Sequence, residues 1–317
     1  MKTKSIARKH HYLTQAYLAA FTRTGLKDGQ FNVFDVNVGN SFTTSPVNVA
    51  AEKDFNRVDI EGQPPDAVEK ALSPLEGKAV AAIRKVIESE IFPNDNDLNL
   101  ILNFLGLIAV RNPKLRKSFN YSREQVINRI LDIIVSDREI WNSKSMEISE
   151  SESDICNKVS FEDAKKFVEE RKYEIEFSPE GNLRVEFEIF GEILQFLGQR
   201  IWSVFIAPNE GPEFICSDHP VTLAWKDGRS APVGYGLQQT EVFFPLGRRV
   251  GLYGVFESPL KPVIKLKPGA VATMNGRVAR NSERHIYSAL DSFFVWHEGQ
   301  IREVRCAATS SLKNKLR

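Results

Sequence analysis

Cysteine is scarce in this chain. Cys156, Cys216 and Cys306 are the only three in 317 residues, and they form no C-x-x-C pair. That argues against a disulfide framework and a zinc site, and it favours a reducing, cytoplasmic setting. Long apolar runs are lacking too: the most apolar, Leu98 to Val110, is too short to span a bilayer and reads as a buried helix. No long apolar stretch follows the basic N-terminal residues, so neither a secretory signal nor a membrane partner is expected. The Gly-rich Lys-Ser/Thr phosphate loop, H-E-x-x-H and G-x-S-x-G are all missing, as is any internal repeat. With 42% hydrophobic and 26% charged residues the chain has the composition of a globular protein, not a disordered one.

Net charge is only +1, but its distribution is uneven. Residues 1–30 carry six cations against Asp28, and residues 261–284 carry six against Glu283. If folding joins them, the two regions make one anion-binding face. For either region alone, a solvated surface is the simpler explanation.

Apolar spacing predicts helices over about Thr14–Thr22, Pro64–Glu90, the run ending before Asn112-Pro113, Asn120–Trp141, Phe161–Glu170 and Glu186–Gln199. Phe31–Thr43 alternates around Gly39-Asn40 and reads as a hairpin, and Tyr173–Phe177 as a short strand. The Ser-rich acidic stretch of about 143–154 reads as a linker or mobile loop. Beyond residue 200, strands are expected at Trp202–Pro208, Glu213–Ser217, Val221–Trp225, Thr240–Pro245 and Val250–Phe256. A helix over about Gly269–Leu290 and a closing hairpin around Glu298-Gly299-Gln300 complete the chain. The class is α+β: a helical N-terminal two-thirds (about 1–200) packed with a mainly antiparallel C-terminal sheet (about 201–310). A lone hairpin needs a partner to be stable. The N-terminal hairpin is therefore expected on the C-terminal sheet, making residues 1–317 one interleaved domain.

Five histidines are present, and His10 and His11 are adjacent, beside Arg8 and Lys9. Neighbouring side chains diverge by about 100° on a helix and face opposite ways in a strand, so the pair is a poor set of co-ligands for one metal. Gln15 and Tyr17 are close enough along the chain to join a site there. At Ser217-Asp218-His219-Pro220 a strand ends, and Asp218 is either a general base or a turn cap. Arg111, Lys114, Arg116 and Lys117 follow an apolar helix; cations suit a helix C-terminus, but four exceed that need and suggest phosphate. Asn275, Arg277, Arg280, Asn281 and His285 are further candidates, against a default of solvated helix face. Pro65-Asp66 with Glu76-Gly77-Lys78 imitates a nuclease pattern, but the region is helical and the match is read as coincidence.

His10-His11-Tyr12-x-x-Gln15-x-Tyr17-Leu18-x-x-Phe21, Arg111-Asn112-Pro113, Ser217-Asp218-His219-Pro220-Val221, Phe244-Pro245-Leu246 and Asn275 ahead of Tyr287-Ser288 occur in an order that resembles a bacterial family, domain of unknown function 4238. The resemblance covers nearly the whole chain; Thr14 stands where Pro is expected, and His219 where Asn is. It implies that His10, His11, Gln15 and Asp218 meet in one pocket. It further implies a bacterial anti-phage factor acting on DNA, an N-glycosylase that flips and excises a modified base. In that reading Asp218, His10 and His11 are catalytic, while Gln15, Tyr17, Asn275 and His219 hold the base. Arg8, Lys9, Arg111, Lys114, Arg116, Arg277 and Arg280 hold phosphates. No metal and no cofactor is expected. The alternatives are a metal-dependent nuclease using Asp218, His219 and one N-terminal histidine, and a non-enzymatic sensor of phage nucleic acid or protein.

Overall fold

The computed structural model describes residues 9–151, 159–257 and 261–305. They divide into two units, one of residues 1–114 with 179–317, the other Leu115–Ser178.

The first unit opens with strand β1 (Lys9–His11), the short helix α1 (Gln15–Leu18) and a 3-10 turn to Phe21. The Thr14 hydroxyl accepts the Ala16 N–H and caps α1. The hairpin β2 (Phe31–Asp35) and β3 (Asn40–Thr44) follows as expected, then β4 (Ala51–Lys53), which pairs antiparallel with β1. Helix α2 (Ala67–Ser89) buries Leu72, Ala79, Ile83 and Val86. Helix α3 (Asp95–Val110) is capped by Asn94 and buried almost all round, as its apolar composition requires. Helix α4 (Pro113–Ile134) starts at once, with Pro113 in the first position where its missing N–H costs nothing. α4 passes into the second unit.

That second unit also holds α5 (Arg138–Ser151) and α6 (Phe161–Glu170). The helix expected over Asn120–Trp141 is thus two helices. Asp137 restarts the chain by accepting the Glu139 and Ile140 N–H groups. The same cap corrects the expected mobile loop, because residues 143–151 continue α5; residues 152–154 lie outside the described residues. Tyr173–Phe177 forms no strand. Its aromatic residues are held by side chains instead: Tyr173 stacks on Phe167 at 5.2 Å, and Arg123 covers Phe177 at 4.0 Å. Val126, Ile130 and Ile133, the expected apolar face of α4, remain 58%, 48% and 48% exposed. So small a unit offers little interior to receive them.

The first unit resumes with α7 (Pro179–Gly198) and then the strands β5 (Ile201–Ile206), β6 (Cys216–Ser217), β7 (Thr222–Trp225), β8 (Thr240–Pro245), β9 (Val250–Val255) and β10 (Val263–Lys265). Helix α8 (Pro268–Asn281), β11 (His285–Ser288) and the hairpin β12 (Ser292–His297) with β13 (Gln300–Arg305) close the chain. One sheet has the order β10-β5-β9-β8-β7, antiparallel except for β10 beside β5. A second has the order β3-β2-β11-β6, so the N-terminal hairpin pairs with a strand some 250 residues later. The fold is α+β. Val271, Met274, Val278 and Ala279 of α8 join Phe34, Phe205, Phe214, Phe243, Ile286 and Phe293 in one buried cluster. Gly254 is required where it stands: a Cβ there would lie 2.7 Å from the ring of Trp202, its cross-strand partner.

The helix expected to reach Leu290 stops at Asn281, because the following amides turn toward Asp218.

Candidate functional site

The two histidines lie on β1, opposite Glu52 and Ala51 of β4, and so point to different sides of that strand. His10 is buried, and its Nδ1 accepts the backbone N–H of Asn56 at 2.9 Å. The Asn56 side-chain amide donates to Glu69 of α2. His11 is half-buried, and its Nε2 lies 3.5 Å from Gln15 Nε2. Burial lowers the His11 pKa, backbone contacts at Val47 and Pro46 oppose that, and Glu69 is the acid that feels its charge. Further along α2, Glu76 is 3.8 Å from the guanidinium of Arg111. Burial nevertheless raises the Glu76 pKa, with Glu69 adding to the rise and Arg111 opposing it. The histidines thus keep company with Asn56, Glu69 and, through Glu69, with Glu76.

Asp218 has other partners. Its Oδ1 accepts the Glu283 N–H at 2.8 Å, and its Oδ2 accepts those of Arg284 and His285 at 2.7 and 2.8 Å. Its own N–H donates to His285 O at 3.0 Å. Burial pushes its pKa up against these amides and His285. The carboxylate therefore latches the α8–β11 turn to the end of β6. From the N-terminal segment, Tyr12 is the residue whose ionisation Asp218 opposes; its hydroxyl also neighbours that of buried Tyr287. Arg284 turns its guanidinium to Asp35 at 2.7 Å, with His285 Nε2 3.6 Å from the same carboxylate.

Other expected contacts resolve into structure. Tyr17 is buried, donates to Pro245 O at 2.7 Å and stacks on Phe244 at 5.2 Å, which leaves no face for a base. Asn275 is fully buried: both amide hydrogens go to Glu213 O and Phe294 O, and its oxygen accepts the Ile215 N–H. It stitches backbone together and has no donor left for a base edge. Arg111 is buried beside Glu76, where a phosphate would displace that pairing. Lys9 donates to Val47 O, and Arg116 is half-buried on α4 in the second unit. Arg8 lies outside the described residues.

His219, next to Asp218, belongs to a different neighbourhood. Burial, reinforced by Lys114, lowers its pKa to about 3, and its Nδ1 has no hydrogen-bond partner among the described residues. Asn281 donates to the carbonyls of His219 and Val221, and Lys114 donates to Asn281 O at 2.8 Å. Asn281 also lines an open cleft of about 820 Å3 between α8, β7 and the loop that follows it. Arg277, Arg280, Arg229 and Trp225 line it as well, with no carboxylate and no imidazole among the lining residues. The Arg229 guanidinium covers the Trp225 ring at 4.3 Å. Arg277 pairs with buried Glu241, and burial together with Arg280 brings its pKa down to about 10.

Sequence reasoning found Arg277 and Arg280 but missed Trp225, read only as the end of a strand, and Arg229, whose loop has no pattern of its own. It also missed Glu69 and met Glu76 only in a nuclease-like pattern that it set aside as coincidence; their spacing of seven on one amphipathic helix was the available signal. Among the described residues no group of three His, Cys, Asp or Glu side chains is placed to hold a metal ion, and no helix is long and apolar enough to cross a membrane.

These features define an α+β protein with a histidine–carboxylate cluster and a separate arginine-lined cleft. The chain belongs to the family described as protein of unknown function DUF4238, whose profile matches residues 9–292. No curated protein and no solved structure matches it.

Proposed function

We propose that the protein excises a base from DNA by hydrolysing an N-glycosidic bond, with Glu69 and Glu76 as the reacting carboxylates. One observation carries this reading: the histidine strand is tied through Asn56 to Glu69 of α2, and two turns along that helix burial raises the pKa of Glu76. Two turns of helix offset the backbone positions of Glu69 and Glu76 by about 10 Å along the axis. Wide spacing of that kind leaves room for a water between acid and base, as in glycoside hydrolysis by direct displacement. Glu76 delivers its proton to the departing base as the bond from C1′ to nitrogen breaks. The water oxygen bonds to C1′, and Glu69 takes the water's proton. His11 and Gln15 orient the base. Asp218, expected in the charge-stabilising role, holds the turn at 283–285 instead.

A defence role against phage and a cytoplasmic location belong to the same proposal, supported by the family resemblance and by the cysteine usage. The arginine cleft, with no acid or imidazole in its lining, favours a second reading, a non-enzymatic sensor of nucleic acid.

The test incubates the full-length protein with unmodified and modified phage DNA, then applies alkali to cleave abasic sites. Expected are abasic sites that form in EDTA and are lost in Glu76→Gln. No abasic sites on any DNA, with cells still protected, would overturn excision in favour of the sensor. Strand cleavage abolished by EDTA would overturn it in favour of the metal-dependent nuclease.

A further inference from the structure

A second cleft lies apart from the histidine–carboxylate cluster. Its floor is the exposed side of β7, where Leu223 and Trp225 are half-buried, and its rim is the loop Gly228–Val233. Its opposite wall is the last two turns of α8. A volume of about 820 Å3 lies in the range of clefts that hold small organic ligands, well beyond what one inorganic ion fills.

Charge selects the ligand. Three guanidiniums face the cleft and none of its lining residues is acidic. Arg277 is answered by Glu241, and Arg229 by Asp227 at 2.8 Å. Among the described residues Arg280 has no acidic partner. Arg280 follows Arg277 by three residues, so the two lie on one helix face, and the charge of Arg280 opposes that of Arg277. An anion entering the cleft relieves that repulsion. Guanidiniums present paired donors to phosphate oxygens.

Shape adds a second requirement. Arg229 lying on Trp225 forms a flat cation–π platform, beside the apolar surface of Leu223, Pro232 and Val233. Such platforms stack planar rings. Thr273 and Asn281 complete the lining; the Asn281 amide hydrogens are taken by the carbonyls of His219 and Val221, so its place there is structural.

We propose that this cleft binds a nucleoside phosphate, with its phosphate on Arg277 and Arg280 and its base on the Arg229–Trp225 platform. The ligand is a free nucleotide or one unit of a single strand; both carry the same chemistry. The site is read from binding alone, so it stands or falls independently of base excision.

The experiment titrates a short fluorescein-labelled oligothymidylate with the full-length protein and follows anisotropy, with dTMP or inorganic phosphate as competitor. Expected is saturable binding that weakens with salt, and about tenfold weaker binding in Arg280→Ala and in Arg229→Ala. Arg280→Lys should keep the salt dependence that Arg280→Ala reduces by about one phosphate contact. Displacement by dTMP assigns the site to a nucleotide unit alone. Binding of the strand that dTMP does not displace assigns it to the strand. Unchanged affinity in the Arg229→Ala/Arg280→Ala double variant, with wild-type circular dichroism, overturns the proposal. So does displacement by phosphate as strong as by dTMP.

Discussion

The imidazole of His10 and the backbone of Asn56 are locked together: Nδ1 of the ring accepts the Asn56 N–H at 2.9 Å, and both residues are buried. Accepting through Nδ1 leaves Nε2 as the nitrogen that carries hydrogen. His10→Ala strands a buried amide and should destabilise the protein by about 1–3 kcal/mol in urea denaturation. His10→Asn, whose amide oxygen can accept the same N–H, should recover much of the loss. Equal stability of wild type and His10→Ala would show that the bond contributes nothing net.

Asp218 gathers three successive amides on one carboxylate. Asp218→Asn replaces one accepting oxygen by an NH2 that faces donors. A loss of about 1.5–3 kcal/mol is expected, with faster hydrogen exchange at residues 283–285. If excision disappears while stability and exchange stay at wild-type levels, Asp218 acts on substrate and not on the turn.

Tyr17 tests the boundary between core and site. Tyr17→Phe keeps the stacking on Phe244 and removes the hydroxyl that donates to Pro245 O. The expected cost is about 1–3 kcal/mol of stability, from the buried carbonyl left unpaired. Oligothymidylate affinity should not change. A selective loss of binding at unaltered stability would return Tyr17 to the site.

The Asp35 carboxyl answers to opposing influences. Burial works to raise it, but Arg284 and the amides of Val38 and Asn37 outweigh burial and hold it below the usual carboxylate range. The folded protein therefore prefers the ionised form. The stability this supplies is present above the unfolded value of about 3.9 and is lost as pH falls through the folded one. Below about pH 4, wild type should lose stability more steeply than Asp35→Asn. Urea midpoints measured at stepped pH decide this, and parallel curves would remove Asp35 from the acid response.

Much of the fold was legible because its cues are local. Helical spacing marked α2 and α3, and Gly39-Asn40 marked the β2–β3 hairpin. The departures arose where a distant or single residue decided the outcome. Asp218 ends α8's region and frees His285–Ser288 to become β11, and no window around residue 285 contains that aspartate. Asp137 turns an acidic stretch into helix by one cap. The site was legible in part. The paired histidines stand out in the sequence, but the carboxylate tied to them through Asn56 comes from α2, whose amphipathic pattern looks the same with or without a task. Asn275 and Tyr17 stand out in the sequence as polar groups among apolar ones, and burial has spent both on backbone.

The pairing of β2 with β11 also sets the order in which the chain can finish folding on the ribosome. Residues 31–44 emerge early, yet their lasting neighbour, His285–Ser288, is made about 240 residues later. At about 5–20 residues per second that interval is on the order of 10–50 s. A two-stranded hairpin is marginal alone, so throughout that time an unpaired edge of β2 is open to wrong partners. Fast synthesis therefore shortens the exposure of that edge, and only the strands made near the end of the chain close it.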